Sequence, residues 1–169
     1  MLASHNPYKP HNHNRCVQNA LSETRALLQK QGVNFTPLRE KILGIIWQNQ
    51  HPIGAYDILA KLANQEERHT QPPTIYRILV FLQKYGLVHK LPSINSYIGC
   101  SNPSVNPESA HWGCFFICNN CRATIEVESS HVTSATQSCA AHHDFSLSNS
   151  PIELTGLCHN CSNEKPSHD

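Results

Sequence analysis

Two short stretches carry the densest chemistry in this chain. "FFICNNC" ends in Cys118 and Cys121, and "GLCHNC" repeats the spacing with Cys158 and Cys161, after a gap of 36 residues. Cysteines three apart present two thiolates from one tight turn, and two such pairs complete a tetrahedral zinc-thiolate shell. With every position filled by sulfur, such a site is structural. The competing reading is a pair of dithiols that cycle to disulfides, which requires nothing of one pair toward the other. Thirty-six residues are too many for a simple ribbon, so a folded segment has to lie between the knuckles and return the chain to the same ion.

The surrounding sequence limits what that ion can be stapled to. The chain has 169 residues, 39% of them hydrophobic and 15% charged, which suits one or two small globular domains. No run approaches the roughly 20 apolar residues of a membrane span, and the N-terminus "MLASHNPYKPHNHNRC" lacks the apolar stretch of a secretory signal. A cytoplasmic protein with no membrane partner is expected. In a reducing compartment its eight cysteines point to metal or redox chemistry before a disulfide framework.

Charge divides the chain. Residues 1–92 carry 11 Lys and Arg against 5 Asp and Glu, whereas residues 93–169 carry 2 against 7, and seven of the eight cysteines fall in the second part. Two domains follow, with a boundary near Pro92 to Pro107. A basic first domain is compatible with nucleic acid and equally with a solvated basic surface.

The first domain reads as four helices and a hairpin. "VQNALSETRALLQKQG" places Val17, Leu21 and Leu28 at helical spacing and stops at Gly32. "TPLREKILGIIWQNQ" has Thr36 as N-cap and Pro37 in the first turn, with Leu38, Ile42, Ile45 and Ile46 facing inward. "GAYDILAKLANQ" buries Ile58, Leu59 and Leu62. "QPPTIYRILVFLQKYG" opens at Pro72, Pro73 and Thr74, closes at Gly86, and buries Ile75, Leu79 and Leu82. "LVHKL" and "SYIGC" flank a "PSINS" turn and predict a two-stranded wing. In a winged helix the fourth helix enters the major groove, with Tyr76 and Arg77 in its first turns. Arginine can bind guanine with two hydrogen bonds, and tyrosine can meet a thymine methyl or a phosphate. A tyrosine packed in the core and a solvated arginine fit the same pattern. In the second domain "RATIEVES" alternates as a strand, "SHVTSATQSCAAHH" suits a helix, and "DFSLSN" and "PIELTGLC" suit strands, giving a β-α-β-β unit between the knuckles.

In combination, "TPLREKIL", "GAYDIL", "PPTIYRILVFLQKYGLVHK", "SYIGC", "FICNNC" and "GLCHNC" resemble the ferric uptake regulator family, and within it the zinc uptake regulator branch, over about residues 17 to 162. The resemblance implies an α+β homodimeric repressor with an N-terminal winged helix-turn-helix domain and a C-terminal α/β dimerisation domain. Such a protein binds palindromic, A·T-rich operator DNA with Zn²⁺ as corepressor and controls zinc uptake genes. It implies two zinc ions per subunit. Cys118, Cys121, Cys158 and Cys161 would hold the structural ion, and His89, Cys100, His111 and Glu126 match the regulatory set. A mixed N, S, O tetrahedron suits zinc, and a thiolate disfavours harder ions. The DNA-contacting set is Tyr56, Thr74, Tyr76 and Arg77. The expected division is a disordered tail at 1–15, a winged helix at 16–92, a hinge at 93–110, a zinc-stapled dimerisation domain at 111–162 and a flexible tail at 163–169.

Departures and rivals accompany this reading. The iron-sensing branch typically carries a dense histidine and acid cluster before the first knuckle, whereas "ESAHWGC" offers His111 with Glu108 nearby. Cys114 is expected to pack within its strand, and Cys139 to face the core with Val132 and Ala135. His142 and His143 suit an auxiliary metal site with Glu128, or a solvated helix end. His5, His11 and His13 suit a polar tail or a metal scavenger. An enzyme is not expected: a zinc hydrolase would need an open metal position with Glu126 as base, and a thiol oxidoreductase would need reversible pairing at Cys118 and Cys121. The nearest alternative is a sibling regulator answering to another metal or to peroxide.

Overall fold

The structure is a computed structural model that describes residues 13–49, 51–65, 70–103, 113–127, 129–148 and 150–163. Helix α1 (His13–Lys30) buries Val17, Ala20, Thr24 and Leu28 on one stripe, and Gly32 turns the chain at φ +66°. The helix therefore takes in residues 13–15, which the sequence reading assigned to the tail. The Oγ1 of Thr36 accepts the Arg39 amide at 3.4 Å and starts α2 (Pro37–Gln48). That helix is buried nearly all round from Ile42 to Trp47, because α1, α3 (Ala55–Ala63) and the wing pack on different sides of it. Ile58 and Leu62 of α3 join the same core, as do Ile75, Leu79 and Leu82 of α4 (Pro72–Lys84).

The wing follows at once. β1 (Val88–Leu91) pairs antiparallel with β2 (Ser96–Gly99) around a single 3-10 turn at Pro92–Ile94, closed by Asn95 at φ 46°. Tyr97 also bridges to Ile53, so β2 is fixed to the helical core from both sides. This corrects the boundary expected at residue 92. Residues 93–99 belong to the winged domain through backbone hydrogen bonds, and the hinge region starts after Cys100.

The C-terminal half is built on a three-stranded sheet of order β4-β3-β5. β3 (Cys114–Cys118) is central, antiparallel to β4 (Thr124–Val127) and parallel to β5 (Ile152–Gly156). Between β4 and β5 runs α5 (Ser130–His142), whose first turn is capped by Ser129 Oγ on the Val132 amide. A one-turn helix, α6 (His159–Asn163), carries Cys161 of the second knuckle and takes in residue 163. Between the knuckles the order is thus β-α-β, one strand fewer than the expected β-α-β-β. Residues 145–148 of "DFSLSN" form no strand, and Phe145 is exposed. The second expected strand does form: "IELTG" is β5, the parallel partner of β3. Cys114 is buried in β3 as expected, but Cys139 is exposed, because α5 buries none of its residues within this chain.

The two halves meet through a small apolar cluster. Leu91, Ile94 and Ile98 of the wing pack on Phe115 and Ile117 of β3. At its rim the backbone amide and hydroxyl of Ser93 donate to Glu153 Oε2 of β5, the amide at 3.2 Å.

Candidate metal centres and DNA-reading surface

The first knuckle forms where β3 turns into β4, and the second where β5 turns into α6. Because β3 and β5 are parallel neighbours, both turns leave the same end of the sheet. The four sulfur atoms of Cys118, Cys121, Cys158 and Cys161 consequently lie within 4.8 Å of one another. Cys121 Sγ is 3.7 Å from Cys158 Sγ. Four thiolates at 2.3 Å from a tetrahedral zinc are separated by about 3.8 Å, so the spacing fits one ion. All eight cysteines are free thiols. Convergence of both pairs on one point is what a shared ion requires, and what separate dithiols do not.

The electrostatics of the cluster are those of like groups crowded together. The Cys158 amide, 3.4 Å from Cys118 Sγ, and the Cys121 amide favour the Cys118 thiolate and lower its pKa to about 6. Asn120 opposes the shift at Cys161, but Cys158, burial, Cys121 and Cys118 outweigh it and raise that thiol to about 12. At Cys121 the Ala123 amide lowers the pKa, yet burial and the Cys118 and Cys158 thiols leave it raised. Charge is therefore placed most easily on Cys118, whereas Cys121 and Cys161 hold their protons more tightly, a balance that a bound cation would shift.

A second convergence spans the domain boundary. His89 on β1, Cys100 just beyond β2 and Glu126 on β4 bring their ligand atoms within 4.8 Å of one another. His89 Nε2 is 3.0 Å from Glu126 Oε1, with both side chains largely buried. The imidazole leans on the Phe115 ring at 5.1 Å between centroids. Gly113 makes that approach possible: a Cβ there would lie 2.4 Å from Phe115 and 3.5 Å from His89. A nitrogen, a sulfur and a carboxylate oxygen in a buried pocket form a donor set suited to zinc. His111, the fourth member expected, lies outside the described residues, as do Glu108, Glu128, His5 and His11. His142 and His143 meet edge to face at 5.1 Å on exposed α5 and its C-cap, and among the described residues neither belongs to a metal-ligand cluster.

Sequence reasoning missed one partner of this site. Ser101, buried beside Cys100, donates its amide at 3.0 Å and its hydroxyl at 2.6 Å to Glu126 Oε2. Nothing in the type or spacing of a serine distinguishes it until β4 is packed against the wing.

The DNA-reading expectations meet a simple surface test. Tyr76 and Arg77 are exposed in the first turns of α4, which excludes the core reading of Tyr76. Thr74 is half-buried, with its amide bonded to the Gln71 carbonyl. Tyr56 stands exposed on α3 at 70% of its full area. These four lie on the α3–α4 helix-turn-helix, with the wing fixed beside it by the Ile53–Tyr97 bridge.

A helix-turn-helix with a two-stranded wing, joined to a sheet that gathers four thiols, is the architecture of a metal-dependent regulator of transcription. The family model of the ferric uptake regulator family matches residues 30–155, and the chain belongs to that family, whose members regulate transcription and are not enzymes. It is 34% identical over 145 residues to the zinc uptake regulation protein of Escherichia coli K12, covering 86% of this chain and 82% of that one. Among solved structures, a zinc uptake regulator complexed with zinc and DNA superposes with a TM-score of 0.76 at 34% identity, over 86% of this chain and 95% of that chain. Holo XcZur gives 0.75 at 30% identity over 85% and 97%, whereas its apo form gives 0.50 at 29% over 86% and 97%. The arrangement described above therefore superposes better on that holo form than on its apo form. Among the described residues no helix is long and apolar enough to cross a membrane.

Proposed function

We propose that this protein is a zinc-responsive transcriptional repressor that binds palindromic operator DNA as a homodimer and controls zinc uptake genes. The observation that carries the reading is the meeting of His89 from the wing, Cys100 from the end of the wing and Glu126 from the C-terminal sheet in one largely buried donor set. Its likeness to the zinc- and DNA-bound regulator supports the same conclusion. Two ions per subunit are proposed, one for each cluster: a structural ion held by Cys118, Cys121, Cys158 and Cys161, and a regulatory ion held by His89, Cys100 and Glu126 with His111.

When bound at the hinge, zinc supplies bonds that tie the wing to the dimerisation domain. The rest belongs to the chain. His89 is oriented by Phe115, Glu126 by Ser101, and Cys100 loses its proton to become a ligand. With the three held together, the Leu91–Phe115–Ile117 cluster stays closed and α4 keeps a fixed orientation. Two such subunits would present Tyr76 and Arg77 at the spacing of successive half-sites, with Tyr56 and Thr74 adding contacts to the duplex. Operator affinity and hinge-site affinity are linked, so each raises the other by the same factor.

The test is recovery of fragments of the source genome by purified protein at buffered low and high free zinc, with the four-thiol site loaded throughout. Zinc-dependent enrichment of palindromes near transport genes is expected. Equal recovery at both zinc levels would reject zinc as corepressor, and enrichment restored by another metal alone would assign the sibling function.

A further inference from the structure

The Glu126 carboxylate has two oxygens in different surroundings. Oε1 faces His89 Nε2 at 3.0 Å, inside the donor set. Oε2 accepts two hydrogen bonds from a single residue, the Ser101 amide at 3.0 Å and its hydroxyl at 2.6 Å. Both partners are buried, Ser101 at 4% and Glu126 at 7% exposure, so water does not compete for these bonds. They pin the carboxylate about its terminal torsion, a broad rotor in the absence of such partners.

We infer that Ser101 is a positioning residue that holds Glu126 as a one-oxygen ligand and thereby sets the hinge site's preference for a four-coordinate ion. The inference rests on the reading of His89, Cys100 and Glu126 as the regulatory site. A carboxylate that uses both oxygens raises the coordination number, which suits larger, harder cations; a single oxygen suits tetrahedral zinc. Ser101 directly follows Cys100, so one short segment supplies a thiolate and the clamp for the carboxylate opposite. Partners of this kind, one bond removed from the metal, typically change affinity by about 10- to 100-fold when removed. Ser101→Ala keeps the amide bond and loses the hydroxyl, so a weakening of about tenfold is expected.

The experiment uses the full chain with its four-thiol site loaded with zinc, and titrates the hinge site with Co²⁺, Zn²⁺ and Mn²⁺ in turn. Cobalt reports coordination number through the intensity of its visible d–d bands, strong for four ligands and weak for more. The native chain is expected to give a strong spectrum that Cys100→Ser abolishes. Ser101→Ala should bind zinc about tenfold more weakly, show a weaker visible band, and lose part of its preference for zinc over manganese. Ser101→Thr, which keeps the hydroxyl, should restore all three. Native affinity and spectrum in Ser101→Ala would overturn the inference while leaving the regulatory site intact. So would weaker binding of all three metals with an unchanged spectrum and no rescue by threonine, the signature of a packing defect. Absence of any Cys100-dependent cobalt band in the native chain would instead overturn the site assignment itself, and the role of Ser101 with it.

Discussion

Substituting Gly113 by alanine perturbs the hinge site without touching a ligand. The added Cβ would sit 2.4 and 2.7 Å from two ring atoms of Phe115, and 3.5 Å from His89 Cε1. Carbon atoms rest at about 3.5–4.0 Å, so the overlap with the ring is about 1 Å. Phe115 is fully buried between Leu91 and Ile117 and its ring cannot swing to solvent. The ring must therefore press on His89, or β3 must back away from the wing. Overpacking of this kind costs about 1–3 kcal/mol. If opening the interface relieves all of the strain, the cost falls wholly on the closed state. The hinge site should then bind its ion about 5- to 150-fold more weakly, and operator affinity should fall by the same linkage. Isothermal titration of the hinge site, run beside DNA-binding anisotropy, measures both. Gly156→Ala is the control, since a Cβ there meets nothing within 4 Å. Native zinc affinity in Gly113→Ala, with native melting, would refute the idea that Phe115 transmits strain to His89.

Further outcomes follow from the same geometry. Cys100→Ser should lower the metal content to one ion per chain and abolish zinc-dependent operator binding, while the four-thiol ion and the fold persist; loss of both ions by mass spectrometry would show that the clusters are not separable. Filling the four-thiol site near neutral pH should release at least two protons, from the raised Cys121 and Cys161 thiols. Calorimetry in buffers of different ionisation enthalpy counts them. Cys118, depressed from 9.0 to about 6, contributes metal-free stability that is complete above 9.0 and lost as the pH falls through about 6. Metal affinity at this cluster should accordingly decline steadily on acidification, and an affinity flat between pH 8 and 5 would contradict a thiolate shell. Arg77→Ala should cost about 1–3 kcal/mol on the operator and relax one base preference, as read by competition with operator variants. Unchanged affinity and preference would remove Arg77 from the readout.

Much of the helical half was legible because its signals are local. Thr36 and Pro37 announce α2 within one turn, and the stripes of α1 and α4 repeat at a period that needs no distant partner. The knuckles were legible for the same reason, since each C-x-x-C pair bites from one turn. Strands were less so. "DFSLSN" alternates as well as "IELTG", but a strand exists only where a neighbour has free backbone groups, and β3 offered its open edge to residues 152–156. Cys139 was expected inside because α5 has apolar residues at helical spacing, yet among the described residues none packs closely enough to bury them.

By itself the sequence determined which residues can bind metal and which helix carries Tyr76 and Arg77, because ligand chemistry, capping and periodicity act over a few residues. Tertiary structure decided which of them meet. Cys100 and Glu126 are brought together because the wing packs on β3 through Leu91, Phe115 and Ile117, and β4 is paired to β3. That packing also turned Ser101, chemically unremarkable in the sequence, toward Glu126. Burial then gave its two hydrogen bonds their strength, since the carboxylate they hold is screened from water.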